Sequence, residues 1–274
     1  MKKTIISYAI VFATLLLNTV SAQNSRYSDF NQIGWASFNF GFKLSQKLDL
    51  TGDYQFRRDE LGLKTQQHQV RAGLLYNINK KASVLVGYSF IETFPFGDER
   101  FPLSPSMLKY PEHRVYEQLI LKDVIGRVEL THRYRLEQRF VAFQPTAYSH
   151  KIEEWRRTNR FRYMLRMQVP LKGNTLEEKE PYVAAYDELF VSFGSTVKYN
   201  MFDQNRSAVL FGYKVSKAFR IEAGPYAQIA QLGGLKNIPG YSPNKTIMQY
   251  NLGYIINAYF NFDLTKKNAT VPVK

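Results

Sequence analysis

The 274-residue sequence contains no cysteine, which excludes disulfides, thiolate nucleophiles and cysteine-based metal sites. Histidine is scarce as well, and the four histidines are scattered without the spacing of metal ligands. We therefore predict no metal and no cofactor. The sequence also lacks a glycine-rich phosphate loop and any nucleic-acid-binding motif, so no nucleic-acid partner is predicted.

Long apolar runs are missing too, except for one at the N terminus. Lys2 and Lys3 precede an apolar run over residues 5–20, and the small residues Ser21 and Ala22 follow it. This is the layout of a cleavable secretory signal, with a retained anchor helix as the alternative. We predict a signal peptide over residues 1–22 and one mature domain over residues 23–274, with a short C-terminal tail after about residue 264.

Basic residues outnumber acidic ones by 37 to 23, giving a formal charge of +14. Such a balance can indicate nucleic-acid binding. In an exported protein it favours lipid phosphates, lipopolysaccharide or anionic solutes as partners.

Polar and apolar residues alternate with a period of two along almost the whole mature chain, and helical periodicity is nearly absent. Eleven alternating runs can be counted, and several are far longer than the roughly 5–6 residues usual for soluble strands. The connections fall into two classes. Short ones lie near residues 45–47, 79–81, 125–126 and 216–218, and long ones span residues 95–112, 143–154 and 233–245.

This asymmetry is typical of transmembrane barrels, with short periplasmic turns at one rim and long extracellular loops at the other. The 20 Phe and 19 Tyr residues also suit aromatic girdles at the two membrane interfaces. We therefore predict an all-β fold, an antiparallel transmembrane β-barrel in the outer membrane. Because single-chain bacterial barrels normally close with an even number of strands, we predict twelve strands, with ten as the alternative. A twelfth strand would come from residues 24–32 or from dividing one long run.

Arginine recurs at every second position in two neighbouring predicted strands. An arginine facing lipid at mid-depth would cost roughly 2–4 kcal/mol, so these side chains are assigned to the lumen. The predicted lumen-lining and anion-binding candidates are Arg133, Arg135, Glu137, Arg139, Arg160, Arg162, Arg166 and Glu188. Two interpretations remain open for them. The charges could form an ion-pair ladder that fills and stiffens the lumen, or uncompensated arginines could attract anions.

Two features of the outer wall stay ambiguous. Over residues 113–124, either Glu117 or Gln118 must face lipid, so this wall is left unassigned. His132 falls on the apolar side of its strand. It could be an oligomer contact, a local polar site, a tolerated neutral imidazole or an error of assignment.

Four segments carry a resemblance to a known family. They are EHRVYEQL at residues 112–119, HRYRLEQR at 132–139, YDELF at 186–190 and FDQNR at 202–206. Their order and spacing resemble the recurrent motifs of the exported family known as domain of unknown function 2490, whose members are taken to be outer-membrane β-barrels. The resemblance implies that location and supplies no activity, ligand or catalytic residue.

An outer-membrane lipid hydrolase is the main competing class. Enzymes of that class place a histidine two residues before a nucleophilic serine, whereas here the four residues at that spacing are Val70, Val115, Tyr134 and Ile152. We therefore predict no catalytic residue and no enzyme.

The predicted function is a narrow channel or binding barrel for anionic solutes. The alternative is a plugged structural or envelope-maintenance barrel that contacts lipopolysaccharide or a protein partner through residues 95–112. Barrel-assembly machinery is the expected partner during insertion, and the oligomeric state is left open.

Overall fold

The computed structural model describes residues 26–97, 108–144, 150–238, 240–241 and 243–265. The predicted signal peptide lies outside these residues, as do parts of the long connections and most of the predicted C-terminal tail. Eleven strands in the described residues form one closed barrel. They are β1 Arg26–Lys43, β2 Leu48–Asp59, β3 Lys64–Asn77, β4 Ala82–Thr93, β5 Tyr110–Ile125, β6 Val128–Phe143, β7 Glu154–Pro170, β8 Glu180–Phe193, β9 Phe202–Lys214, β10 Phe219–Gln231 and β11 Thr246–Asp263.

The barrel presents apolar side chains outward and polar ones inward. Since successive side chains in a strand point to opposite faces, the period of two in the sequence separates these faces along each strand. Val86, Val209 and Leu252 are among the large apolar residues exposed on the outside. Within the described residues, no helix is long and apolar enough to span a membrane.

Both predicted strand numbers, twelve and ten, were wrong. The described barrel has eleven strands, and it closes through a parallel pair. β1 runs parallel to β11, from Arg26 opposite Thr246 to Lys43 opposite Asp263. An odd number of strands requires such a seam, since the first and last strands then run in the same direction. Residues 26–32 extend β1 and do not form a separate strand.

Side chains match across this seam on both faces of the wall. On the outside, Phe42 stacks on Phe262 with ring centroids 5.2 Å apart, and two further aromatic pairs stack in the same way. On the inside, the Asn31 amide donates to Asn251 Oδ1 at 3.0 Å. These paired contacts stabilise the parallel closure without a further strand.

The longest connections lie at one rim, although residues 60–63 at that rim are short and residues 171–179 at the opposite rim are long. One rim, here the short-turn rim, carries residues 44–47, 78–81, 126–127, 171–179 and 215–218. The opposite rim, here the long-loop rim, carries residues 60–63, 94–109, 144–153, 194–201 and 232–245. The tightest turn needs Gly126, whose φ of +62° lies in the left-handed region.

The structure fixes the face of the wall on which both features lie. Glu117 faces outward, where it accepts a hydrogen bond from Gln138 Nε2 at 3.2 Å, and Gln118 is buried inside. His132 does lie on the outer face, where its Nδ1 is 2.9 Å from the hydroxyl of Tyr163. This histidine therefore has a local polar partner.

Candidate functional site

All eight predicted candidates lie on the inner face of the barrel. Contacts between strands that are not neighbours identify this face. Arg166 on β7 donates to Glu222 on β10 at 2.6 Å, although β8 and β9 separate those strands in the wall. Arg160 on β7 likewise pairs with Asp203 at the start of β9 at 2.5 Å. Such contacts can form only through the interior.

Glu137 is the centre of the inner network. Its carboxylate accepts from Arg160 at 2.6 Å and from Arg162 at 2.5 Å. The register explains this geometry, because Glu137 lies directly opposite Arg160, and Arg162 is on the same face two residues further along β7. Arg135 Nη1 and Arg114 Nη1 lie further away, at 3.6 and 3.9 Å. Only 1% of the Glu137 side chain is exposed, so this carboxylate is compensated almost entirely by arginines.

Two other buried carboxylates each bridge two arginines. Glu188 pairs with Arg133 and Arg162, both at 2.7 Å. Glu112 pairs with Arg114 at 2.5 Å and Arg139 at 2.6 Å. The bridge at Glu112 joins the neighbouring strands β5 and β6. The bridge at Glu188 joins β6 to β8, which are not adjacent in the wall and share no backbone hydrogen bonds.

Glu222 forms a separate group nearer the short-turn rim. Besides Arg166, its carboxylate accepts hydrogen bonds from the hydroxyls of Tyr182 and Tyr259 and from the amide of Asn257. Four donors therefore hold this one carboxylate.

Three inner arginines have no ion-pair partner among the described residues: Arg57, Arg206 and Arg220. Arg57 donates to the side chains of three glutamines and lies over the Trp35 ring, 4.0 Å from its centroid. Arg206 lies 4.9 Å from the same ring and donates to Gln204. Arg220 lies over the ring of Tyr259 at 4.2 Å.

These arginines border a cavity of about 200 Å³ in the middle of the barrel, here the middle cavity. Eight arginines and two glutamates contribute to its wall. They are Arg57, Arg71, Arg114, Arg133, Arg162, Arg166, Arg206, Arg220, Glu188 and Glu222.

Several hydrogen-bond donors in the wall of the middle cavity have no acceptor among the described residues. The Nε atoms of Arg57, Arg133 and Arg220 are buried and have no hydrogen-bond partner within the described residues. Guanidinium groups are planar forks that match carboxylates and phosphates, so the chemistry available here is the binding of an oxyanion. Within the described part of the chain, no group of three metal-binding side chains is found.

A comparison with family models identifies the family of this chain. The model described as "Protein of unknown function (DUF2490)" matches residues 32–237. The chain belongs to the DUF2490 family. The match covers β2 to β10 in full and all four motifs noted in the sequence, so the resemblance drawn from those motifs is confirmed. No curated protein matches the chain.

The four DUF2490 motifs supply much of the inner network. In the first three motifs alternate residues point inward, as expected for strands. In the fourth motif the neighbours Asp203 and Gln204 both line the interior, opposite a register shift in β8. The residues concerned are Glu112, Arg114 and Gln118 in the first motif, Arg133, Arg135, Glu137 and Arg139 in the second, Glu188 in the third, and Gln204 and Arg206 in the fourth. The segments that carry the resemblance are therefore segments that build the interior.

Sequence reasoning missed several members of the site. Arg57, Arg71, Arg114, Arg206 and Arg220 line the middle cavity but were not predicted. A signal for two of them was available. Arg206 alternates with Gln204 in the fourth motif, and Arg114 alternates with Glu112 in the first.

Proposed function

We propose that the protein is an outer-membrane β-barrel that binds small anionic solutes in its interior. The observation that carries this proposal is the wall of the middle cavity, where arginines outnumber glutamates by eight to two. Three of those arginines have no carboxylate partner among the described residues. The proposal assigns binding to this site and no reaction.

The distribution of polarity supports the membrane location. A soluble barrel points its apolar side chains inward, whereas a membrane barrel points them toward lipid and lines its interior with polar groups. Here Glu137, Arg160 and Arg162 are almost fully buried inside, while Phe211 and Leu252 are about 60% exposed outside. Export through an N-terminal signal and insertion by barrel-assembly machinery belong to the same proposal.

Burial of unpaired arginines supports the binding of anions. A buried charge is costly unless it is paired, so Arg57 and Arg206 gain from an anion that enters the cavity. Several donors converge there already, so little reorganisation is needed on binding. The cavity volume of about 200 Å³ limits the solute to a small one.

The test replaces both unpaired arginines beside Trp35. In purified, folded protein, we expect inorganic phosphate to bind saturably, and the double variant R57Q/R206Q to bind at least about tenfold more weakly, since each charged hydrogen bond contributes about 1.5–3 kcal/mol. Titration calorimetry measures both affinities. The substitutions also remove the hydrogen bonds of Arg57 and Arg206 to neighbouring glutamines, so equilibrium unfolding of both proteins checks that the double variant is folded.

Arg58 provides the matched control. It neighbours Arg57 in β2 but lies over the Phe56 ring on the outer face. R58Q should therefore bind phosphate as the wild type does. Equal affinity in wild type and R57Q/R206Q, or no saturable binding by the wild type, would contradict the proposed function.

A purely structural barrel is the second candidate. The bridges around Glu112, Glu137 and Glu188 favour it, because together they join several walls through the interior. In that case phosphate would bind to neither protein, and the network would serve only stability. Contact of the long-loop rim with lipopolysaccharide or a protein partner belongs to this candidate.

A further inference from the structure

The interior contains two further cavities, one on each side of the middle cavity along the barrel. The upper cavity, of about 160 Å³, lies toward the long-loop rim and is lined by Thr93, Tyr110 and Gln231, among others. The lower cavity, of about 390 Å³, lies at the short-turn rim and is lined by Asn174, Thr175 and Ser216, among others. Different residues separate each of these two cavities from the middle cavity.

Four residues separate the middle cavity from the upper one, since they line both: Trp35, Arg57, Arg114 and Arg206. Trp35 contacts two of these arginines, and its indole nitrogen donates to Gln66 at 3.1 Å. Arg57 is fixed by three glutamines, and Arg114 by two hydrogen bonds to Glu112. This layer is therefore held in place by many contacts.

One residue, Arg220, lines both the middle and the lower cavities. It lies over the face of Tyr259 and is attracted to Glu222 beyond ion-pair distance, and its Nε has no hydrogen-bond partner within the described residues. A long side chain held by a ring face and a longer-range attraction can change rotamer more easily than one fixed by several hydrogen bonds. The boundary toward the short-turn rim is therefore the weaker one.

Charge differs between the two cavities mainly in how far it is paired. The upper cavity has five arginines against Glu112 and Asp203, and three of those arginines are ion-paired with these carboxylates at 2.5–2.6 Å. The lower cavity has one acidic residue, Glu129, against five basic ones: Lys122, Arg127, Lys214, Lys217 and Arg220. The Lys217 side chain is 90% exposed and lies 4.0 Å from Glu178, so this mostly basic lining begins at the solvent. A cleft lined by charge of one sign concentrates counter-ions and raises their association rate by about 10- to 1,000-fold.

We infer that the middle cavity takes a small oxyanion, of the phosphate or carboxylate class, and is loaded from the short-turn rim alone, past Arg220. This inference rests on the proposed function, to which it adds the rim from which the anion enters. The barrel is then a one-sided binding site, and the layer of Trp35, Arg57, Arg114 and Arg206 separates the bound anion from the long-loop rim. If that rim faces the exterior, loading takes place from the periplasm.

The absence of cysteine allows each route to be blocked separately. Thr175→Cys places a thiol in the lower cavity, and Leu232→Cys places one in the upper cavity. Each is labelled with an uncharged polyethylene-glycol maleimide. Phosphate uptake is followed by the fluorescence of Trp35, which lines the middle cavity, in a background where Trp155 is replaced by phenylalanine.

Labelling of the Thr175→Cys variant should slow phosphate uptake by about tenfold or more, because the polymer covers the basic mouth, whereas labelling of the Leu232→Cys variant should leave the rate unchanged. Slowing by the upper label, equal slowing by both labels, or slowing by neither would overturn one-sided loading while leaving phosphate binding intact. A lack of any phosphate response in the unlabelled proteins would instead overturn the proposed function, and this inference with it.

Discussion

Replacing Glu137 with glutamine is expected to destabilise the barrel by about 3–5 kcal/mol, as breaking a buried ion pair from one side does. The carboxylate is the shared acceptor of Arg160 and Arg162, with two further arginines within 4 Å. Glutamine has nearly the same shape but no charge, so the arginines around it would repel one another without compensation. Equilibrium unfolding of the folded protein in denaturant measures the loss.

Glu154 is the matched control for this substitution. It pairs with Arg156 at 2.5 Å, as closely as Glu137 pairs with Arg162, but both side chains are more than half exposed. Exposed ion pairs contribute about 0–1 kcal/mol, so E154Q should unfold almost as the wild type does. Similar losses for E137Q and E154Q would show that the inner network does not hold the barrel together.

The second large effect concerns the outer wall. Val209 lies near the middle of β9, and 55% of its surface is exposed. If this surface faces lipid, Val209→Arg should cost about 2–4 kcal/mol, the cost of an arginine near the midplane of a membrane barrel. If it faces water, an arginine at an exposed position should change stability by less than about 0.5 kcal/mol. Unfolding in lipid bilayers separates the two cases.

Val215→Arg is the control for the outer wall. Val215 lies in the connection between β9 and β10 at the short-turn rim, and 39% of its surface is exposed. Near the interface of a membrane barrel the cost of arginine falls to about 0–1 kcal/mol. A substitution at Val209 no more costly than the same substitution at Val215 would contradict the membrane location.

The faces of the strands were predictable from sequence because side-chain direction alternates strictly in extended backbone. Arg133, Arg135 and Glu137 share a face for this reason alone. Their partners were not predictable in the same way. The pairing of Arg166 with Glu222 depends on the tilt and stagger of the strands, which decide which residues meet at one height. The alternation of polar and apolar residues predicts the face on which a side chain lies, but it does not predict the position of that side chain along the barrel axis.

Whether the number of strands is odd or even could not be predicted from the sequence, for a related reason. A strand such as β11 shows the same alternation whether its neighbour runs parallel or antiparallel. The choice at the seam depends on how the first and last strands meet, for example on the stacking of Phe40 on Phe260. Lining residues such as Arg57 and Arg220 lie on strands outside the two arginine-rich segments, and their importance follows only from the closed shape.

An anion inside the barrel can be located directly with a heavier analogue of phosphate or sulfate. Crystals of the protein grown with selenate would give anomalous scattering from selenium. Binding in the interior predicts a peak in the middle cavity, within hydrogen-bond distance of the guanidinium group of Arg57, Arg206 or Arg220. Peaks confined to exposed lysines and arginines at the rims, with none in the middle cavity, would contradict it.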